Sequence, residues 1–419
     1  MSIRLKAAAG GGSVELDVPN TVNSDISLTV PATAGEFIVK DANNNVGSNL
    51  VFSNIDTTTI NSLNYPTAGP LSNRNIIING AMTVSQRSTS QYAVTSSTFL
   101  VDRWRVGIWT IGEWAISQST DAPSGFSNSL KLHSDYGVSS PSSSGYVYIR
   151  YIAEAQDLQQ LSFGSSNAKS LTISFWVKSN KTGDASFRIN APDGGNRDFV
   201  TTYSIAAADT WEYKTISIPA NTSETINNDN GNGFEIEWWL HSGSQFQGTT
   251  PPSGWSTSVN SDFNNSNLGV GAATNDYFQI TGVQLEAGAA TPFEHQCYAD
   301  VLRRCQRYYQ IVAKADATTS QASMGTFTYW GANTIYGAIR FPVEMRAAPS
   351  FEQNVGTAYY ISYSAGASQS GSQLSMFTNK STRTVEFYMT LTSNGVTGRS
   401  SIFRTNNANA HVALQAELF

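Results

Sequence analysis

Hydrophobic and polar residues alternate with period two through most of the chain. RWRVGIW (103–109), SLKLHS (129–134), YVYIRYI (146–152), LTISFWVK (171–178), WEYKTISI (211–218), FEIEWWLH (234–241) and YFQITGVQL (277–285) all show the pattern. Strict alternation predicts strands with one face in a core and one outside it. Polar loops rich in Ser, Gly, Asn and Pro separate these segments, and no helices intervene as βαβ units require. EAQDLQQL (154–161) predicts a short helical turn. The expected fold is all-β: an antiparallel jelly-roll sandwich over 71–295.

The period changes once. In YADVLRRCQRYYQ (298–310), Val301, Leu302, Cys305, Tyr308 and Tyr309 fall on one face of a helix. Asp300 lies in its first turn, and Arg303, Arg304 and Arg307 follow, which suits the helix dipole. A connecting amphipathic helix is therefore expected over 296–310. Alternation returns in TFTYWG (326–331), IYGAIRF (335–341), TAYYISY (357–363), RTVEFYMTL (383–391) and HVALQAEL (411–418). These predict a second, smaller sandwich or open sheet over 311–419, with the last strand tied into it. Residues 1–70 hold only short runs such as SLTV (27–30) and EFIVKD (36–41), too short to bury a core in one chain. Two readings stand: a flexible leader, or an anchor ordered by association with other copies or a larger assembly.

Alternation also assigns sides. Leu171, Ile173, Phe175 and Val177 face a core, so Trp176 points away. Phe234, Ile236, Trp238 and Leu240 face a core, so Glu237, Trp239 and His241 lie on the other face. Trp104, Val106 and Ile108 go inward and Trp109 outward; Tyr148 and Arg150 go outward. Large rings beside planar hydrogen-bonding groups suit a sugar, whose C–H face stacks on an aromatic plane while its hydroxyls need donors and acceptors. Trp109, Tyr148, Arg150, Trp176, Glu237, Trp239 and His241 are thus candidate glycan contacts. Exposed rings also mark protein interfaces, and loops or a neighbouring chain covering them would make a secondary core instead.

Composition narrows the classes. Charged residues are 13% of the 419, with 25 Lys+Arg against 31 Asp+Glu and a formal charge of −6. Residues 71–295 carry 12 basic and 19 acidic side chains, so a nucleic-acid partner is not expected. Aromatics at 11% argue against disorder. No run of about 18 apolar residues predicts a membrane helix, and no secretory leader is evident. Cys297 and Cys305, about 12 Å apart if both were helical, read as structural thiols of a protein made in a reducing cytosol.

Enzyme templates fit poorly. The four histidines (His133, His241, His295, His411) form no HExxH, and no CxxC, GxSxG or phosphate-loop pattern occurs. Glu294-His295 reads as packing or capping. Glu235 and Glu237, about 6–7 Å apart on one strand face, leave a glycosidase pair as the remaining enzymatic reading. The chain is expected not to be an enzyme.

Several segments resemble proteins of bacteriophage fibres. NRNIIINGAMTVSQRSTS (73–90) with FLVDRWRV (99–106), then QDLQQLSFGSSNAKSLTISFWVKS (156–179), then TGVQLEAGAATPFEHQCYADVLRRCQRYYQ (281–310) are similar to the opening, middle and end of a tail-fibre domain. FPVEMRAAPSF (341–351) resembles the sheet that follows it, and 27–52 resembles a degenerate fibre repeat. The middle region is also similar to jelly-roll carbohydrate-binding modules of polysaccharide-degrading enzymes. Met82 and Ser88 depart from the family's aromatic and Gly as packing variants. The resemblance implies a homotrimeric virion fibre, anchored to other virion proteins through residues 1–70 and binding a host-surface glycan or receptor. Purely structural fibre or decoration proteins, and polysaccharide depolymerases, are the alternatives. It names no ligand residues. Its motif residues Asp102, Arg103, Trp104, Glu286, Thr291, Pro292, Phe293, Glu294, Arg307, Tyr308 and Tyr309 read as structural. Asp102 and Arg103 are expected to form a buried ion pair, and Glu286, Thr291, Pro292 and Glu294 to set the corner into the helix. A structural calcium with Asn79 and Glu286 among its ligands is a further expectation; no other cofactor is implied.

Overall fold

The computed structural model describes residue 70 and residues 72–419 except 249, 251, 317, 319, 393 and 394, together with the backbone of Ser2–Lys6, Ser13–Asp17, Thr59–Ile60 and Leu63–Asn64. The chain divides into two units, Met1–Thr57 and Thr58–Phe419. In the first, Ser2–Lys6 pairs antiparallel with Ser13–Asp17. SLTV, EFIVKD, the fibre-like repeat over 27–52 and most of the expected anchor lie outside the described residues.

The second unit contains the sandwich. One sheet runs in the order Ser256–Thr257, Arg197–Ile205, Gly183–Ala191, Asn232–Ser242, Tyr146–Glu154, Trp104–Trp109 and Thr98–Phe99. The other runs Glu212–Ile218, Leu171–Ser179, Tyr277–Ala287, Ser129–Tyr136, Glu113–Ser119 and Ser90–Val94. All described pairings are antiparallel, and the chain crosses repeatedly between the sheets, so the all-β jelly roll is as expected. The inward residues assigned by alternation meet in one core. Trp104, Phe175, Phe187 and Trp238 form its aromatic centre, with ring centroids 5.4–5.7 Å apart from Trp238. Each such side chain, fully withdrawn from water, contributes roughly 1.5–3 kcal/mol. The expected turn at 154–161 is a 3-10 helix, Ala155–Leu161.

The helix is shorter than expected: it covers Tyr298–Gln306, not 296–310. Two tertiary contacts end it. Arg307 is gripped by Glu154, Nε to Oε1 at 2.7 Å and Nη2 to Oε2 at 2.9 Å. Tyr309 then opens a strand, Tyr309–Lys314, that pairs with His411–Gln415. Val301, Cys305, Tyr308 and Tyr309 are buried as the helical face predicted. Cys305 is buried and Cys297 exposed, both free thiols.

The C-terminal region forms a second sandwich of unequal sheets. Tyr309–Lys314, His411–Gln415 and Ser350–Gln353 make a three-stranded sheet, with the chain's last strand at its centre. It shares a core of Phe327, Tyr360, Phe387, Phe403, Val412 and Leu414 with a seven-stranded sheet. The alternation missed Ala367–Gly371 (ASQSG) and Ser375–Lys380 (SMFTNK), whose sequences are too polar to show it.

The expected Asp102–Arg103 pair is corrected. Arg103 turns away from its neighbour, with φ at +75°, and its Nη1 reaches Glu417 Oε2 at 2.5 Å, 314 residues distant. Its guanidinium lies 3.3 Å from the Tyr308 ring centroid and donates to the Ile152 carbonyl. Asp102 instead accepts from the backbone N–H and side-chain amide of Gln86. Burial pushes its carboxyl up to about 6, against the Gln86 bonds and the Arg87 charge. Trp104 Nε1 donates to the Asn79 carbonyl. The C-terminal tail is thereby bolted to the first strands of the jelly roll.

The residues expected at the corner into the helix are joined by hydrogen bonds. Glu286 accepts from the Thr291 N–H (2.8 Å) and hydroxyl (2.7 Å), and Arg74 donates to the Pro292 carbonyl. Glu294 accepts from the Asn73 and Asn75 N–H groups, tying the domain's first and last segments together. These bonds leave the calcium expectation without ligands. The Glu286 carboxylate is occupied at the corner, and Asn79 is consumed by Val84 and the Asp102 carbonyl. No cluster of three or more metal-binding side chains occurs among the described residues. Met82 is fully buried, and Ser88 bonds within its own loop, consistent with packing roles. No helix among the described residues is long and apolar enough to cross a membrane.

Candidate functional site

The outer face of the seven-stranded sandwich sheet carries two rungs of side chains. Strand register sets Arg105, Arg150, Glu237 and Arg188 in one line across four strands. The next line holds Gly107, Tyr148, Trp239 and Ser186.

Glu237 is the hub of the first rung. Arg150 donates to its Oε1 from Nε (2.6 Å) and Nη2 (2.5 Å). Arg188 Nη1 (2.9 Å) and Trp239 Nε1 (2.8 Å) donate to its Oε2. Arg188 also binds Asp198, and Arg150 Nη2 lies 3.3 Å from Glu235 Oε2. Glu237 is 0% exposed. Burial by itself raises its pKa, but the Arg150 and Arg188 charges, with the Arg188 and Trp239 bonds, outweigh this and hold it at about 2. Such a carboxylate stays ionised and has its acceptor sites filled. It suits the locking of a sheet better than proton transfer, which favours a pKa near the working pH.

The second rung is aromatic. Tyr148 lies 5.1 Å from Trp239 and stacks on Tyr146 at 5.1 Å. A Cβ at Gly107 would sit 2.3 Å from the Tyr148 ring, so glycine lets that ring lie flat on the sheet. Phe246 and Phe263 cover Trp239 at 5.2 and 5.6 Å, and the Arg188 guanidinium sits 3.8 Å from the Phe263 centroid. His241 is buried as well; its Nε2 donates to the Val138 carbonyl at 3.0 Å, and its Nδ1 lies 3.1 Å from Asn267 Oδ1.

The seven candidate glycan contacts therefore separate. Tyr148, Arg150, Glu237 and Trp239 come together on one face, the side the alternation assigned. His241 does not follow them: the register slips between Val147 and Tyr148, and His241 pairs with inward Val147. Tyr148, Glu237, Trp239 and His241 are nevertheless buried, Trp239 to 2% exposure, and this corrects their reading as surface contacts. The physical reason lies in two short 3-10 turns, Ser244–Phe246 and Asn260–Asp262, which lay Phe246 and the following Phe263 over the rings. The open half of the face holds Trp109, 54% exposed, paired in register with half-buried Tyr146. Two rungs along the same face, beyond Gly107 and Tyr148, lie half-buried Arg105 and Arg150, with Glu235 further on; the Arg150 and Glu235 side chains are 15% and 17% exposed.

Trp176 lies on the outer face of the other sheet, across the sandwich from these residues. It packs on Tyr213 at 5.3 Å. Both Trp176 and Phe126 press against Gly282, whose φ of +61° and missing Cβ make room for them. Phe126, Phe293 and His295 continue the row with centroids 4.8–5.2 Å apart. Asp121 edges it, accepting from Lys178, Trp211 and Gln279; these bonds outweigh desolvation and hold its carboxyl at about 2.

Sequence reasoning missed Arg188, Phe246 and Phe263. Arg188 was legible: in DASFRINA, Phe187 and Ile189 go inward and Arg188 outward. Phe246 and Phe263 lie in loops with no period to read.

No family model and no curated protein matches this chain. Among solved structures, it is similar to the enzymatically active domain of tailspike protein 4 of bacteriophage CBA120, at 14% identity and a TM-score of 0.26. That match covers 51% of this chain and 21% of the tailspike chain. It is also similar to TmCBM61 in complex with β-1,4-galactotriose (10% identity, TM-score 0.27, 51% of this chain, 99% of that one). A family 11 carbohydrate-binding module from Clostridium thermocellum, in complex with a β-1,3-1,4-mixed-linked tetrasaccharide, is similar at 14% identity and a TM-score of 0.25, over 49% and 98% of the two chains. Likenesses this distant carry no argument about activity.

Proposed function

We propose that the chain is a virion fibre protein that binds a host-surface glycan, without cleaving it, on the open half of the seven-stranded sheet. The observation that carries the glycan reading is Trp109. This indole is 54% exposed at a strand end, beside Tyr146, with guanidinium and carboxylate groups of Arg105, Arg150 and Glu235 on the same face. An oligosaccharide laid along the strands stacks one ring on the indole and reaches these donors and acceptors, which begin four residues or about 13 Å further on. The buried Glu237–Arg188–Trp239 network on the same face fixes Arg150 before a ligand arrives, which lowers the ordering cost of binding.

The fibre part of the reading rests on the motif segments of the sequence. In it, the chain forms a homotrimer, is made in the host cytoplasm, and joins other virion proteins through residues 1–70. Three weak sites on one trimer then gain by multivalency. Neither nucleic acid nor membrane insertion belongs to it. The burial of four candidate contacts favours a second reading, a structural fibre or decoration protein whose outward rings serve packing.

The test is adsorption of purified protein to host cells and to their isolated surface polysaccharide. Trp109→Ala is expected to lose binding while light scattering still reports a trimer. Wild-type binding by that variant, or loss of assembly in it, refutes the glycan site. Release of oligosaccharide by the wild-type protein refutes the non-catalytic reading.

A further inference from the structure

A cavity of about 650 Å³ opens between the sandwich and the three-stranded C-terminal sheet. Its size is that of a small-molecule site, and a seam between two domains is where such sites concentrate. One wall is cationic. The Arg87 guanidinium lies 3.7 Å from the Tyr309 ring centroid and 5.1 Å from that of Phe99, so packing fixes it. Its counterion, Glu417, is held tightly by Arg103 at 2.5 Å and reaches Arg87 only at 3.5 Å. Arg87 and Arg103 both bind the Glu417 carboxylate, Arg87 also donates to Gln415 Oε1 at 3.4 Å, and the Asp102 carboxyl lies within reach of its charge. Lys314, exposed on the same wall, spends two bonds on the Gln86 and Arg87 carbonyls, and its third N–H has no bond among the described residues.

The opposite wall accepts. Glu352 takes the Tyr309 hydroxyl on Oε1 at 3.3 Å and lies 3.9 Å from His411 Nδ1. Its Oε2 has no bond among the described residues. Burial lowers the His411 pKa, so the ring adds no charge at neutral pH. Phe99 and Phe419, edge to face at 5.7 Å, form an apolar side, with Phe419 exposed at the mouth.

We propose that this cavity binds a carboxylate-bearing sugar residue. The ligand's carboxylate meets Arg87 and Lys314, its hydroxyls meet Glu352, and its C–H face lies on Phe99 and Phe419. The cavity opens at the edge of the Trp109 face: Phe99 pairs in register with Arg105, and Phe419 lies 5.8 Å from the Arg105 guanidinium, but Trp109 itself, four residues along the strand from Arg105, is not part of the cavity.

The experiment is calorimetric titration of the full chain with sodium glucuronate, glucose and acetate. Glucuronate is expected to saturate one site per chain. Glucose and acetate are each expected to bind at least roughly tenfold more weakly, since each lacks one half of the recognition. Lys314→Gln and Phe419→Ala, both at exposed positions, are expected to weaken glucuronate binding several-fold. W109A is expected to leave it unchanged. The proposal is overturned if glucuronate does not bind, if glucose binds as well as glucuronate, if K314Q binds like wild type, or if W109A abolishes the titration.

Discussion

Replacing Glu417 by Ala tests how the two sandwiches are joined. The Glu417 side chain is fully buried and receives Arg103 at 2.5 Å and Arg87 at 3.5 Å, while the Arg103 side chain is 1% exposed. In E417A, Arg103 keeps the Ile152 carbonyl and the Tyr308 ring but loses its only carboxylate among the described residues. Its Nε has no partner among the described residues even before the change. A buried charge stripped of its partner costs about 3–5 kcal/mol. Glu417→Gln retains an acceptor and should lose about 1.5–3 kcal/mol, the worth of a charge-assisted hydrogen bond. The double variant Arg103→Met/Glu417→Leu removes both charges at similar volume and should return to within roughly 1 kcal/mol of wild type, or exceed it. Urea unfolding followed by tryptophan fluorescence reads all three, with midpoints compared at equal slope. An E417A loss below about 0.5 kcal/mol would refute the reasoning, because that is the range of a surface change. So would a double variant as unstable as E417A, since the cost would then lie in packing rather than in an orphaned charge.

Three further predictions follow the same logic. Glu237 moves from 4.5 to about 2 on folding, so it contributes stability above pH 4.5 that is lost as pH falls towards 2, about 3 kcal/mol in all; the urea midpoint of E237Q should vary less over this window than that of wild type, and parallel curves would contradict the pairing. Gly107→Ala drives a Cβ into the Tyr148 ring and should cost about 1–3 kcal/mol, with Tyr148→Ala in the same chain relieving the clash. Cys297 is exposed while Cys305 is buried with its pKa raised, so a thiol reagent should modify one cysteine per native chain and two after denaturation, counted by mass spectrometry.

The alternation by itself determined the sheet faces. Side chains leave a strand on alternate sides whatever lies beyond it, so Trp109, Trp176 and Trp239 are each on the side their neighbours dictate. The helical period likewise marked Val301, Cys305, Tyr308 and Tyr309 as one buried set, although the strand pairing of Tyr309 with Gln415 cut the helix short. Local periodicity does not say what covers a face. Whether Trp239 meets water was decided by Phe246 and Phe263, brought over it by loops without any period. Whether Arg103 pairs with its neighbour or with Glu417 was decided by the C-terminal tail, 314 residues on. Burial and charge pairing are sums over non-local contacts, so the tertiary structure alone closed the Trp239 half of the face and left the Trp109 half open.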